Sequence, residues 1–183
     1  MIYLLEAKTR KGPLTPLERI NNIAGIFYGK DIKENIMVTI HRKEFMHFLG
    51  AVKKDCYTSN INLKINSIEY AVIIKDIQWH KLTTNPEHID FFSIKNVEKI
   101  QVNYNIQYIN KDTCNGVKQG GKLYIRYRQC KGFVNPHKMS PYLEIDLQNV
   151  KIGEKIQTEF LENKYRDMNL NISNKAILVS ITS

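Results

Sequence analysis

From residue 100 to 108 the chain alternates without a break: Ile100, Val102, Tyr104, Ile106 and Tyr108 are separated by Gln101, Asn103, Asn105 and Gln107. Successive side chains of a strand point to opposite faces, so this period of two places every apolar group on one side and every amide on the other. A helix would scatter the same residues around its circumference. The segment is therefore a strand with one buried face, and it sets the rule for most of the chain. Similar runs occupy residues 36–40, 61–65, 68–74, 123–129, 143–147 and 177–181, each bounded by Gly, Asn, Asp or Pro. Residues 41–54 break the rule. There Phe45, Phe48, Leu49 and Val52 recur at steps of three and four with His, Lys and Glu between them, the pattern of a short amphipathic helix. A second helical stretch, residues 16–22, is too short to stand on its own pattern.

The expected fold class is mainly β: an N-terminal β-barrel with one or two short helices, followed by a second all-β domain. A length of 183 residues accommodates two small domains. The pattern changes near residues 93–96, which places the domains at 1–94 and 95–183. Lys and Arg number 27 against 18 Asp and Glu, a net charge of +9 that favours a polyanionic partner, although abundant Lys, Asn and Ile also reflect an AT-rich coding bias. Cys56, Cys114 and Cys130 are odd in number and widely spaced, which fits a reducing compartment rather than a disulfide framework or a zinc knuckle. The first ten residues lack the apolar core of a secretory signal, and the longest apolar stretch, residues 71–74, is far below the ~20 residues of a membrane-spanning helix. No membrane partner is expected.

The chemically informative segment is KDIQWHKLTTNPEHIDF, residues 75–91. Gln78 and His80 are two apart and share a strand face, as do His88 and Asp90 on the next strand, with turn-forming Thr83, Thr84, Asn85 and Pro86 between. If the strands pair, these four side chains form one polar patch while Ile77, Trp79, Ile89 and Phe91 point into a core. An amide, two imidazoles and a carboxylate offer both donors and acceptors. That mixture suits the base edges and 2′-hydroxyls displayed in the shallow minor groove of RNA. The same residues also fit a solvent-exposed hydrogen-bonded pair with no ligand. An acid–base pair of an RNA-processing enzyme is a further reading, but no nucleophile or oxyanion loop stands beside them. A metal site lacks further Cys or His ligands, and no cofactor is implied.

The segment resembles the signature of the ribosomal protein L25 family, whose longer members are called general stress protein Ctc. AGIFYGK, residues 24–30, is similar to the family's apolar strand ending in Tyr-Gly, and GVKQGGKL, residues 116–123, to the motif that opens the second half of the longer members. LEIDL and IGEKI, residues 143–147 and 152–156, follow in the family's order. The resemblance implies a structural, non-enzymatic constituent of the large ribosomal subunit whose barrel binds 5S rRNA at an internal loop. It also implies that the second domain contacts neighbouring large-subunit rRNA and ribosomal proteins. The implied location is the ribosome of the bacterial cytoplasm, with an organellar ribosome in a mitochondrion or plastid as the alternative. Other readings are an RNA-processing enzyme using His80, His88 and Asp90, and a stress-linked protein-interaction module.

Carried over residue by residue, the resemblance assigns RNA contacts to Arg10, Arg19, Tyr28, Gln78, His88 and Asp90; His80 joins them by its spacing. Two departures stand out. Glu18 precedes Arg19 where relatives have a second Arg, which weakens attraction to phosphate, and Ile23-Ala24-Gly25 lacks the family's Pro. Outside the signature, residues 122–129 place Tyr124, Arg126 and Arg128 on one strand face, read as a solvated edge.

Overall fold

The computed structural model describes residues 2–173 and 175–182, and the chain divides into two compact units, Met1–Val97 and Glu98–Ser183. In the first unit, β1 (Tyr3–Thr9), β2 (Asn22–Tyr28), β3 (Ile36–His41), β4 (Ile61–Ile65), β5 (Ile68–Trp79) and β6 (Pro86–Ser93) close into a barrel in the order β1-β3-β2-β6-β5-β4. The β1–β4 and β2–β6 pairs are parallel and the rest antiparallel. Closure removes the exposed edges that open sheets present.

Alternation fills the barrel. Leu5, Ile23, Phe27, Val38, Ile40, Leu63, Val72, Ile74, Ile77, Ile89 and Phe91 are buried in one cluster. Gly25 shares this inward face because a Cβ there would stand 2.9 Å from the Ile89 carbonyl oxygen and 3.2 Å from a Val38 methyl. Helix α1 (Glu18–Asn21) precedes β2, and α2 (Arg42–Val52) follows β3. Helix α2 seats Phe45, Phe48 and Val52 against the same core. It ends at Lys53, whose φ of 53° breaks the helical repeat, and a 3-10 turn continues to Thr58.

Strand β5 runs through both the apolar run and the signature, with a bulge at its middle. Ile74 pairs with Phe91 but Asp76 with Asp90, so Lys75 is an extra residue. The parity of the strand flips there: Val72 and Ile74 point inward before the bulge, Ile77 after it. A second irregularity follows, where Gln78 pairs with His88 but Trp79 with Pro86. The expectation that Trp79 enters the core is corrected by this slip. Trp79 lies at the strand end, 43% exposed, and its indole N–H reaches the Tyr57 hydroxyl.

In the second unit, β7 (Ile100–Ile109), β9 (Gln129–Val134), β10 (Leu143–Asp146) and β12 (Asn169–Leu170) form a sheet in the order β10-β7-β9-β12. Strands β8 (Lys122–Ile125), β11 (Lys155–Gln157) and β13 (Ile177–Thr182) form a second, in the order β11-β13-β8. Two short helices, α3 (Asn115–Lys118) and α4 (Thr158–Lys164), complete the unit. All the apolar residues of the alternating run, Ile100 to Tyr108, are buried. The expected strand over residues 123–129 is corrected: the chain leaves β8 after Ile125 and enters the other sheet at Gln129. Residues 126–128 make the corner, because β8 pairs with β13 while β9 pairs with β7.

Candidate nucleic-acid interface

The outer face of β2, β6 and β5 gathers the signature. Across β5–β6, Gln78 stands opposite His88 and Asp76 opposite Asp90; across β2–β6, Ala24 stands opposite His88, Ile26 opposite Asp90 and Tyr28 opposite Phe92. The bulge at Lys75 is what brings Asp76 and Gln78 onto this face. Small Ala24 beside His88 leaves the imidazole uncrowded on that side. His88 Nδ1 lies 3.0 Å from Asp90 Oδ1, the side chains 27% and 29% exposed. The angle falls outside hydrogen-bond geometry and the nitrogen is otherwise buried, so the contact is a close polar approach that orients the ring.

Tyr28 closes one end of the face. Its ring meets Phe92 edge-on at 5.6 Å between centroids. Burial raises its hydroxyl pKa above the ordinary tyrosine value, and the charges of Asp90 and Asp76 raise it further. The hydroxyl therefore remains a donor at neutral pH, close to two carboxylates. Asp76 is the residue that sequence reasoning missed; its signal was present as an Asp two before Gln78, hidden by the bulge.

His80 does not join the patch. It sits in the turn after β5, where its Nδ1 accepts from the backbone N–H groups of Leu82 and Thr83 at 3.3 and 3.2 Å, and its main chain bonds to Asn85 and Thr84. The imidazole is committed to its own loop, and the expected shared face with Gln78 is lost at the strand end.

The two N-terminal arginines occupy different settings. Arg10 spends its guanidinium on carbonyl oxygens of Val38, Gly12 and Gly25, pinning the segment after β1 to the barrel. Arg19 is exposed on α1, with Nε donating to Leu14 O at 3.2 Å. Glu18 beside it is a capping group: its Oε2 accepts from the Thr15 N–H and hydroxyl, both at 2.8 Å, and these bonds hold its pKa below the ordinary value. Thr15, with Pro16 next, starts the helical turn that the sequence pattern alone left unsupported.

Arg42 assembles the rim of the face. Its guanidinium donates to the carbonyl oxygens of Ile20 (3.1 Å), Pro86 (2.9 Å), Arg19 (2.8 Å) and Asn22 (3.3 Å), tying α1 to the starts of β2 and β6. It is a structural clamp between Arg19 and the strand that carries His88. Among the described residues, no group of three or more His, Cys, Asp or Glu side chains could hold a metal ion.

Fold and face together define a basic, mainly β protein of two units, built on a closed barrel with a polar patch on its outer face. Residues 5–91 match the model of the Ribosomal L25p family, a span covering the barrel through Phe91. Large ribosomal subunit protein bL25 of Methylobacillus flagellatus is 28% identical over 190 residues, covering 100% of this chain and 90% of the relative. The protein of the same name from Wolbachia pipientis subsp. Culex pipiens is 28% identical, covering 80% of this chain and 71% of its own. That from Pelagibacter ubique is 32% identical, covering 82% and 66%. The chain belongs to the ribosomal L25 family.

Proposed function

We propose that this protein is a structural constituent of the large ribosomal subunit that binds 5S rRNA, reading an internal loop through the β2–β6–β5 face. The observation that carries the reading is the registered array of Gln78 opposite His88 and Asp76 opposite Asp90, with the Tyr28 hydroxyl beside them. The relatives are named as large-subunit proteins. Gln78 offers donor and acceptor, the carboxylates accept from base amino groups, and His88 and Tyr28 complete the set. Arg19 supplies phosphate contact, while Arg10 and Arg42 hold the segment that carries it. His80 acts through the turn rather than on RNA. The role is non-enzymatic, and the turn-bound His80 leaves His88 and Asp90 without the third group that an RNA-processing reading used. The second unit contacts neighbouring rRNA and ribosomal proteins. The named relatives are bacterial, which favours a bacterial cytoplasmic ribosome over an organellar one.

Titration of 5S rRNA fragments with and without the internal loop tests the proposal. The loop fragment binds more tightly, and His88→Ala or Asp90→Ala each weakens that binding by about 1–3 kcal/mol. Equal binding of wild type and both variants to the loop fragment would remove this face from the site.

A further inference from the structure

The second unit carries a concentration of charge that the barrel site does not use. Residues 98–183 hold 13 Lys and Arg against 8 Asp and Glu, a net +5, and the imbalance is local. Between Asp112 and Glu144 there is no carboxylate at all, but there are six cations: Lys118, Lys122, Arg126, Arg128, Lys131 and Lys138. Lys138 pairs with Asp167 at 3.6 Å; among the described residues the other five form no ion pair. Solvated surfaces of ordinary proteins intersperse both signs. A stretch without its counter-charges fits a partner that brings them.

The geometry narrows the partner. Arg126, Tyr127 and Arg128 form the corner between the two sheets, and the corner is fixed from behind. The Arg126 N–H donates to Leu178 O on β13 at 2.9 Å, and the Ile106 N–H of β7 donates to Arg128 O at 2.9 Å. Between them the buried Tyr108 hydroxyl donates to Tyr127 O at 2.6 Å. The main chain is thus anchored to both sheets while the three side chains remain exposed. Lys122 and Tyr124 follow on the exposed face of edge strand β8, with Tyr124 51% and Tyr127 38% exposed. Guanidinium forks match phosphate oxygens in pairs, and exposed tyrosines stack or hydrogen-bond on sugars and bases. An acidic protein segment would satisfy the charge but leaves the two exposed aromatics and the planar forks without a specific role.

We infer that the corner Arg126-Tyr127-Arg128, extended by Lys122 and Tyr124, is a second RNA-backbone contact, engaging phosphates of folded rRNA independently of the site read by the barrel. It rests on the reading of the protein as an rRNA binder but uses different residues and a different part of the RNA. Because the corner is held by main-chain bonds, it meets a phosphate row without having to order its backbone, and it reads charge and spacing rather than sequence.

Full-length protein is titrated against an RNA duplex without internal loop, across a series of salt concentrations, alongside the 5S loop fragment. Arg126→Glu with Arg128→Glu is compared with Lys99→Glu with Arg166→Glu, which makes the same charge change away from the corner. Lys99 and Arg166 meet beside Phe133, at the far end of β7 from Ile106. The corner pair weakens duplex binding by about tenfold or more near 0.1 M salt and makes the log affinity–log salt slope shallower by about 1 to 2, as expected when two phosphate contacts are lost. The control pair has a much smaller effect. Arg126→Gln with Arg128→Gln, which adds no charge, gives the same ranking and serves if the reversal variant does not fold. Unchanged duplex affinity and slope would overturn the inference, as would an equal loss in the control pair. So would a corner variant that binds duplex normally but loses RNA-free large-subunit proteins. Loss of loop-fragment binding on His88→Ala tests the barrel reading alone, so the two failures are separable.

Discussion

Asp76 and Asp90 face each other in register across β5 and β6, two carboxylates on the outer side of the barrel, and among the described residues the only ion-pair partner of either is His88, beside Asp90. Like charges directly opposite in a sheet destabilise it. On the proposed function the pair has its compensation in the RNA, because base amino groups and the Tyr28 hydroxyl are donors that carboxylates accept well.

Opposite signs for stability and binding follow. Asp76→Asn relieves the repulsion and stabilises the free barrel by about 0.2–1 kcal/mol, read by urea unfolding. The same change weakens binding of the 5S loop fragment by about 1–3 kcal/mol, because an amide presents a mixture of donor and acceptor where the site needs acceptors. A variant that loses stability while binding RNA as well as wild type would contradict this account of the carboxylate pair.

Arg42 offers a test of positioning as opposed to contact. Its four carbonyl partners lie on α1, on β2 and at the start of β6, so its loss frees the segment that carries Arg19 without touching the polar face itself. Arg42→Ala costs about 1.5–3 kcal/mol, the range for hydrogen bonds to a charged group. Amide exchange at residues 18–22 speeds up and RNA affinity falls. Lys at this position recovers little, because one ammonium cannot span carbonyls that a planar fork reaches on several sides. Full rescue by Arg42→Lys would show that charge alone matters there.

Much of this architecture is visible in the residue pattern, and the failures are local. The alternation at Ile100 to Tyr108 translates directly into a buried face, and Phe45, Phe48 and Val52 into a helix seated on a core. The pairing of Gln78 with His88 follows from strand alternation and a turn between them. What alternation cannot carry is a change of parity. The bulge at Lys75 hides Asp76, and the slip after Gln78 exposes Trp79 and sends His80 into its loop. Between Ile125 and Gln129 the apolar rhythm persists while the chain changes sheets, since hydrogen-bond partners far along the chain, Leu178 and Ile106, decide the corner. Arg42 was illegible for a similar reason: carbonyl acceptors have no sequence signature. Glu18 was legible as a charge but not as a cap, although Thr15-Pro16-Leu17-Glu18 has the spacing of a capping box.

Two buried tyrosines of the second unit make opposite predictions from the same substitution. The Tyr104 hydroxyl is buried without a hydrogen-bond partner among the described residues, whereas that of Tyr108 holds the Tyr127 carbonyl at 2.6 Å. An unsatisfied buried hydroxyl costs stability, so Tyr104→Phe is neutral or stabilising by up to about 1 kcal/mol, while Tyr108→Phe leaves a carbonyl short of its donor and costs about 1–2 kcal/mol. The two also set the response to base. Burial raises the Tyr108 hydroxyl to about 12 and the Cys130 thiol to about 11, and pushes Tyr104 well above its ordinary value. A folded-state pKa above the unfolded one means the folded protein holds the proton more tightly, so this stability is complete below the unfolded values, near 9 for the thiol and 10 for the phenols. It is lost as pH rises through the folded values. The second unit therefore weakens progressively above about pH 9, and removing a titrating hydroxyl makes the decline shallower. Denaturation of the full chain from neutral pH to about pH 12, for wild type and both variants, measures it. A wild-type profile flat through this window would mean that the tyrosines and Cys130 ionise without cost, and that the interior between the two sheets is open to water.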